Sequence, residues 1–433
     1  MAEIRPFKAW RYNYKLRKQI DELTSPLFDV VSEKQRARLY QNPHNSIHLS
    51  VPQGENAAWK AGQTLQHWKD EKVIVQDMVP GIYSYFQYFT LPGDTKEYCR
   101  KGFIAFIRAY DWSDKVLMRH ESTMPHSVDD RVAILEETKL NVSPTHGLYT
   151  DPDFQIEAIL DASIQQPIYE AEDYQGVRDV LGVVNDAASI RKIVSIMRDK
   201  QIILADGHHR YEGSLRYKKM QLAKEPTATG KEAFNYHMMY FTNTEAHDLR
   251  ILPTHRLVKN IPDFAPAQLL EKLAPYFIIK PVENASDVNE IILGKQWAFG
   301  LLMGDEAYKI RLKPECIDLI DWNFPDKIKE LDLTVMHYFI FEKILGIAGK
   351  DQTRSEKISF ERNFTECHSS VLSGEAQFAV ITKDISIETI KEVCLSGYTL
   401  PQKSTYFYPK VICGFLFGSI QEDEFTSPFD SSL

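Results

Sequence analysis

The chain has 433 residues, enough for one large domain or two or three ordinary ones, and its 43% hydrophobic and 26% charged residues are the proportions of a soluble globular protein. Lysine plus arginine number 51 against 60 for aspartate plus glutamate, a net −9; the broad attraction that dominates nucleic-acid affinity is therefore absent, and DNA is disfavoured as a partner. No apolar run of signal-peptide length, or of the roughly 18 residues a membrane span needs, interrupts the chain, and the five cysteines are odd in number and free of CxxC, against a disulfide framework or structural zinc; the expectation is a cytoplasmic protein with reduced thiols and no membrane association.

In chain order, Ser32 reads as the N-cap of a short helix, with Gln35 completing a capping box, and residues 55–70 read as a polar helix with Ala58, Leu65 and Trp68 on its buried side. The runs IYSYFQYF and GFIAFIRAY read as neighbouring strands, with a turn signal at Pro92-Gly93-Asp94 between them. Val128, Val132 and Leu135 share a helix face, and Asp186 caps a helix whose Ile190, Ile193, Val194 and Met197 fall at i, i+3, i+4 and i+7. QIILA is a short buried strand that turns at Gly207 into another helix, and Met238-Met239 read as core within a strand. Strands and helices continue to an acidic, serine-rich end expected to fray. This alternation predicts a mixed α/β (α+β) fold, with one soft boundary near Ala246 that divides the chain into 1–245 and 246–433.

Four stretches carry groups that can do chemistry. In ADGHHRYEGS, a helix starting at Gly207 directs unpaired backbone N–H groups outward from a strand end, which suits an anion. Arg210 in the first turn opposes the helix dipole, a placement that makes sense if phosphate pairs with it. The same dipole keeps His208 and His209 neutral, and Asp206 can hold Mg²⁺ or orient a hydroxyl. The stretch reads equally as a capped turn with a buried, hydrogen-bonded histidine pair. In RHESTMPHSVDDR, Glu121 is a candidate general base, or else an ion-pair partner of Arg119 or Arg131, and the HExxH of a zinc protease is missing. Thr254, His255 and Arg256 in LPTHR, and Lys403, Ser404 and Thr405 in LPQKSTYFYPK, are cation-plus-hydroxyl sets able to grip an acidic ligand or simply to solvate loops. A metal-dependent hydrolase using His120, His208, His209 and His255 is a weaker alternative. No GxxxxGK[ST], kinase signature set or GxSxG is present.

Taken together, IRPFKAWRYN, SPLFDVVS, HEST, LNVSPTHGLY, ADGHHRYEGS, LPTHR and PQKSTYFYPK resemble the bacterial family known as domain of unknown function 1015, over Arg5 to Lys410. Leu27-Phe28 replaces the family's usual proline and tyrosine, removing a ring hydroxyl, and Gly213-Ser214 stands where Thr-Ala is commoner. The box Asp206-Gly207-His208-His209-Arg210 is further similar to the phosphate-binding box of the ParB/sulfiredoxin-like fold, including ADP-dependent free-serine kinases. That resemblance implies a ParB/sulfiredoxin-like nucleotide-binding core with an additional C-terminal α/β portion able to complete the site. It implies nucleotide phosphates on the box that holds Gly207 and Arg210, and Glu121 as base; ADP, ATP or another nucleotide with Mg²⁺ near Asp206 is the expectation, with Arg131 a further phosphate candidate and Asp206, His208 and His209 catalytic candidates beside Glu121. Thr254, His255, Arg256, Lys403 and Ser404 are then candidates for the substrate. The expected activity is a nucleotide-dependent phosphotransferase acting on a small, serine-like hydroxyl metabolite. The alternative is a ParB-like protein that binds or hydrolyses a nucleotide and engages a macromolecular partner; homo-oligomerisation is left open.

Overall fold

The computed structural model describes residues 2–425 apart from 28–29, 92–93, 122, 124, 353 and 402. Phe28, most of the Pro92-Gly93-Asp94 turn and the serine-rich end beyond residue 425 lie outside the described residues. The protein is a mixed α/β structure that divides into two compact units. The first comprises the described parts of 1–119, 123–250 and 409–433, and the second those of 120–122 and 251–408. This differs from a single cut at 245/246, because the last stretch returns to the first unit.

The first unit is built on a nine-stranded sheet: β1 (Ile4–Arg5), β2 (Tyr83–Thr90), β3 (Glu97–Arg108), β4 (Leu117–Arg119), β5 (Thr145–Tyr149), β6 (Tyr169–Glu172), β7 (Arg178–Leu181), β8 (Ile202–Asp206) and β9 (Tyr236–Asn243). Their order is β4-β8-β5-β9-β3-β2-β7-β6, with β1 beside β3. The β8–β4 and β9–β5 pairs are parallel, and β8–β5 and β9–β3 antiparallel. Successive side chains of a strand point to opposite faces. Along β9, Met238 and Tyr240 accordingly join one apolar cluster while Met239 and Phe241 join another. Both faces are thus buried, which explains why the strand reads as a continuous apolar run rather than an alternating one.

Four longer helices flank the sheet's connections: α1 (Ala57–Asp70), α2 (Pro125–Thr138), α3 (Ala187–Met197) and α4 (His208–Lys224). Leu65 and Trp68 of α1, and Val128, Val132 and Leu135 of α2, are buried, while Ala58 is only half-buried. The Asp186 side chain accepts from the Ser189 amide, which caps α3, and all four of its expected apolar residues are buried. The Ser32–Gln35 capping box forms as well. Among the described residues, no helix is long and apolar enough to cross a membrane.

The second unit carries a six-stranded sheet of β10 (His255–Val258), β11 (Phe277–Val282), β12 (Ala298–Met303), β13 (Glu306–Leu312), β14 (Ile358–Glu361) and β15 (Phe378–Ile381). Its order is β11-β13-β12-β15-β10-β14, and every neighbouring pair is antiparallel. The alternation seen in β9 recurs in β12, where Phe299, Leu301 and Met303 face one cluster and Ala298 and Leu302 another.

Candidate functional site

In the first unit, strand β8 ends at Asp206 and α4 starts at His208, so only Gly207 joins them. Gly207 has φ +89° and the carbonyl that accepts the first helical bond, from the Tyr211 amide at 3.0 Å. A Cβ there would approach Thr145 Cγ2 to 2.6 Å and Arg210 Nη2 to 2.8 Å. Left-handed backbone and lack of space therefore both require glycine.

Asp206 is the organising carboxylate. Its Oδ2 accepts from Arg210 Nη2 at 2.9 Å, and its Oδ1 accepts from Lys410 Nζ. Burial alone would raise this carboxyl, but Lys410 and Arg210 outweigh it and hold the group far below the usual carboxylate range. Arg210 Nη1 also donates to Ser143 Oγ at 2.9 Å and to the Pro144 carbonyl at 2.6 Å. The Mg²⁺ role expected of Asp206 does not fit, since both of its oxygens already serve cations, and no step is routed through a metal. Among the described residues, no three His, Cys, Asp or Glu side chains gather as metal ligands.

Beside this turn lies a cavity of about 40 Å³, roughly three times the minimum of ~10–15 Å³ that one water needs. Its lining includes Arg131, Arg210, Ser50, Asn141, Ser214 and His237. Arg131 Nη1 donates to the Ser50 carbonyl at 2.8 Å and its Nε to Asp130 at 3.1 Å. Three buried donors on this lining, Ser50 Oγ, Asn141 Nδ2 and Arg210 Nε, have no hydrogen-bond partner among the described residues. His237 bridges two hydroxyls, Ser214 Oγ to Nδ1 at 2.7 Å and Thr145 Oγ1 to Nε2 at 2.9 Å. Burial, reinforced by Arg210, pushes it down to about 3, so it is neutral at physiological pH. Of the residues expected to act, the cavity thus gathers Arg131 and Arg210. The histidine on its lining is His237; His208 is buried elsewhere in the helix start and His209 is half-buried. His237, Ser50 and Asn141 escaped the sequence reading because each stands alone in an apolar or loop stretch, and only the fold brings them to one place.

The second unit assembles the other set. Glu121 Oε1 accepts from the Ser404 amide at 3.1 Å, the Thr405 amide at 3.1 Å and Thr405 Oγ1 at 3.0 Å. The acid gripped by the Ser404 segment is therefore the chain's own Glu121. Ser404 Oγ itself donates to the Pro401 carbonyl at 2.5 Å. Arg256 is fully buried, donating to the Thr254 carbonyl and contacting His337 Nε2 at 3.3 Å. Burial pushes Arg256 down to about 9, with Glu121 pulling the other way. His255 Nδ1 accepts from the Thr382 amide at 3.1 Å, and burial followed by Arg256 pushes this ring down to about 4. Thr254, His255, Arg256 and Ser404, the expected substrate grips, are all at most 4% exposed and have polar atoms bonded within the unit. Lys403 has φ +59°, a strained turn position.

A mixed α/β protein with this turn is matched by one family model: the chain belongs to the family described as Protein of unknown function (DUF1015), which covers residues 4–334. The match stops short of the PQKSTYFYPK stretch that the sequence reading included. No curated protein matches the sequence. Among solved structures, the chain is similar to a conserved hypothetical protein from Pyrococcus furiosus, at 13% identity and a TM-score of 0.36 over 72% of this chain and 95% of that one. It is similar to a free serine kinase in complex with AMP, at 11% identity and a TM-score of 0.37 over 75% and 93%. It is also similar to C-terminally truncated SbnI from Staphylococcus aureus, at 11% identity and a TM-score of 0.35 over 74% and 90%.

Proposed function

We propose that the chain is a nucleotide-dependent phosphotransferase whose first unit holds nucleotide phosphate at the Gly207 turn and whose acceptor is a small, serine-like hydroxyl compound. One observation carries the reading: three buried donors without described partners, Ser50 Oγ, Asn141 Nδ2 and Arg210 Nε, line one cavity together with Arg131. A buried polar atom left unbonded costs roughly 1–3 kcal/mol, more when charged. Water can accept from such donors but brings no charge; a phosphate group offers several acceptor oxygens together with a negative charge beside the Arg131 and Arg210 guanidiniums. The likeness of the Asp206-to-Arg210 box to that of the ParB/sulfiredoxin-like fold supports the same assignment. In phosphoryl transfer most of the rate comes from positioning and charge neutralisation, which is what a preorganised arginine pair supplies. Glu121 is held through Oε1 by three bonds within the second unit and is assigned no step at the first unit's turn.

A second reading, a ParB-like protein that binds or slowly hydrolyses a nucleotide and engages a partner, gains from that same anchoring, which gives Glu121 a purely architectural task. One experiment separates them. Thermal shifts with ADP and ATP are followed by phosphate-transfer assays against a panel of hydroxy-amino acids, on the natural chain, Arg210→Met and Glu121→Gln. Phosphotransfer predicts nucleotide-induced stabilisation and acceptor-dependent product in the natural chain, both lost in Arg210→Met and both retained in Glu121→Gln. Binding without acceptor-dependent turnover would select the second reading, and no nucleotide-induced shift would remove both.

A further inference from the structure

The structure assigns the Ser214 hydroxyl as a further donor to a phosphate oxygen in the cavity beside the Gly207 turn, with its hydrogen aimed there by His237. This rests on the reading of that cavity as a phosphate site and adds to it a ligand from the second turn of α4.

Three observations support it. Ser214 lies four residues after Arg210 on α4, a spacing that stacks the two side chains on one helix face, and both line the cavity. The neighbouring helix comes close here: a Cβ on Gly213 would approach Arg131 Cβ to 3.1 Å, so glycine lets α2 bring Arg131 to the same lining. Second, His237 is buried and its two ring nitrogens meet two hydroxyls, Ser214 Oγ at Nδ1 and Thr145 Oγ1 at Nε2, with no carboxylate bonded to it among the described residues. A neutral imidazole has one N–H and one acceptor nitrogen, so one hydroxyl donates to the ring while the other accepts from it and must send its own O–H elsewhere. Thr145 is fully buried, lies off the cavity lining and makes no other side-chain hydrogen bond among the described residues. Its O–H, turned away from the ring, would be left unmet in the core, which is costly. The arrangement that meets every group therefore runs from the Thr145 O–H to Nε2 and from Nδ1–H to Ser214 Oγ, and it leaves the Ser214 O–H to the cavity. Third, that hydrogen joins donors in want of an acceptor, since Ser50 Oγ, Asn141 Nδ2 and Arg210 Nε are buried on the same lining without a described partner. The oxygens of a phosphate group supply acceptors for such a set. With Nδ1 already carrying a proton, His237 does not take one from Ser214. Ser214 is thus a ligand and not a nucleophile, and Thr145 and His237 are positioning residues.

The competing arrangement protonates the ring on Nε2, so that Ser214 donates to Nδ1 and shows the cavity only a lone pair, which a phosphate oxygen repels. Two measurements on the full chain separate them. Nitrogen NMR of the histidine side chains, with His237→Gln to assign the signal, reads which ring nitrogen carries the proton, and Nδ1 is expected. Calorimetry with inorganic phosphate and with ADP compares the natural chain with Ser214→Ala, whose affinity for both is expected to be about tenfold weaker. The NMR signal belongs to the natural chain and so keeps the test available should Ser214→Ala fail to fold. A ring protonated on Nε2, or equal affinities in the natural chain and Ser214→Ala, would overturn the proposal while leaving the phosphate site intact. Absence of both phosphate and ADP binding in the natural chain would instead overturn the phosphate reading itself.

Discussion

Arg210 of the first unit and Arg256 of the second are both buried guanidiniums, and the two are used in opposite ways. Arg210 is tied directly to Asp206, yet keeps its Nε on a cavity wall without a described partner. Arg256 makes no ion pair with a described residue, is closed in by the Thr254 carbonyl, His337 and the Phe360 ring, and feels Glu121 only at a distance. The lesson is that a buried cation marks a ligand site only when the space beside it is left unfilled; otherwise it is a strut.

The largest effect expected from this contrast is on stability. Arg210→Met breaks a buried pair and leaves Ser143 and Pro144 without their donor, for a loss of about 3–5 kcal/mol in urea unfolding. Arg256→Met exchanges a buried charge that makes no ion pair among the described residues for a similar volume, and should move stability by no more than about 1 kcal/mol in either direction. Equal losses in the two variants would erase the distinction. Next comes Gly207→Ala, expected to cost roughly 2–3 kcal/mol because the left-handed backbone and the Thr145 contact both resist a Cβ; a melting curve unchanged from the natural chain would show that the turn is not as tight as described.

A third comparison uses pH. Asp179 on β7 is completely buried and bonded to Tyr85 at 2.5 Å and Gln87 at 2.8 Å. Burial pushes it up to about 7 against the opposing bonds from Tyr85 and Gln87. A carboxyl raised in the folded state is protonated there while the unfolded chain is already ionised, so its favourable contribution is complete below pH ~4 and is lost as pH rises through about 7. The first unit should therefore lose on the order of 2 kcal/mol between pH 5.5 and 8, and Asp179→Asn should flatten that slope. Persistence of the slope in Asp179→Asn would assign it to another group.

The local elements were legible where local physics decides them. The Ser32–Gln35 box, the Asp186 cap and the apolar faces of α1, α2 and α3 follow from spacing alone, and the Gly207 turn follows from a glycine between a buried strand and a helix. What spacing cannot convey is which partner a charged side chain finds. Glu121 reads as a free base until the Ser404 and Thr405 amides are seen on it, 283 and 284 residues away. Arg256 reads as a solvated loop cation until β10 carries it inward to pair antiparallel with β14. Arg131 and Arg210, both expected to bind phosphate, come to one cavity wall, a convergence that their spacing of 79 residues in the chain does not announce.

The return of residues 409–425 to the first unit also bears on how the chain is made. Synthesis proceeds from the N-terminus, so the nine-stranded sheet emerges from the ribosome long before the segment that covers Gln87 and Arg100. Until the final stretch is released, two buried polar side chains wait for their backbone partners, and Asp206 lacks its lysine. A nascent chain halted anywhere within the second unit should accordingly be a target for chaperones rather than a stable intermediate.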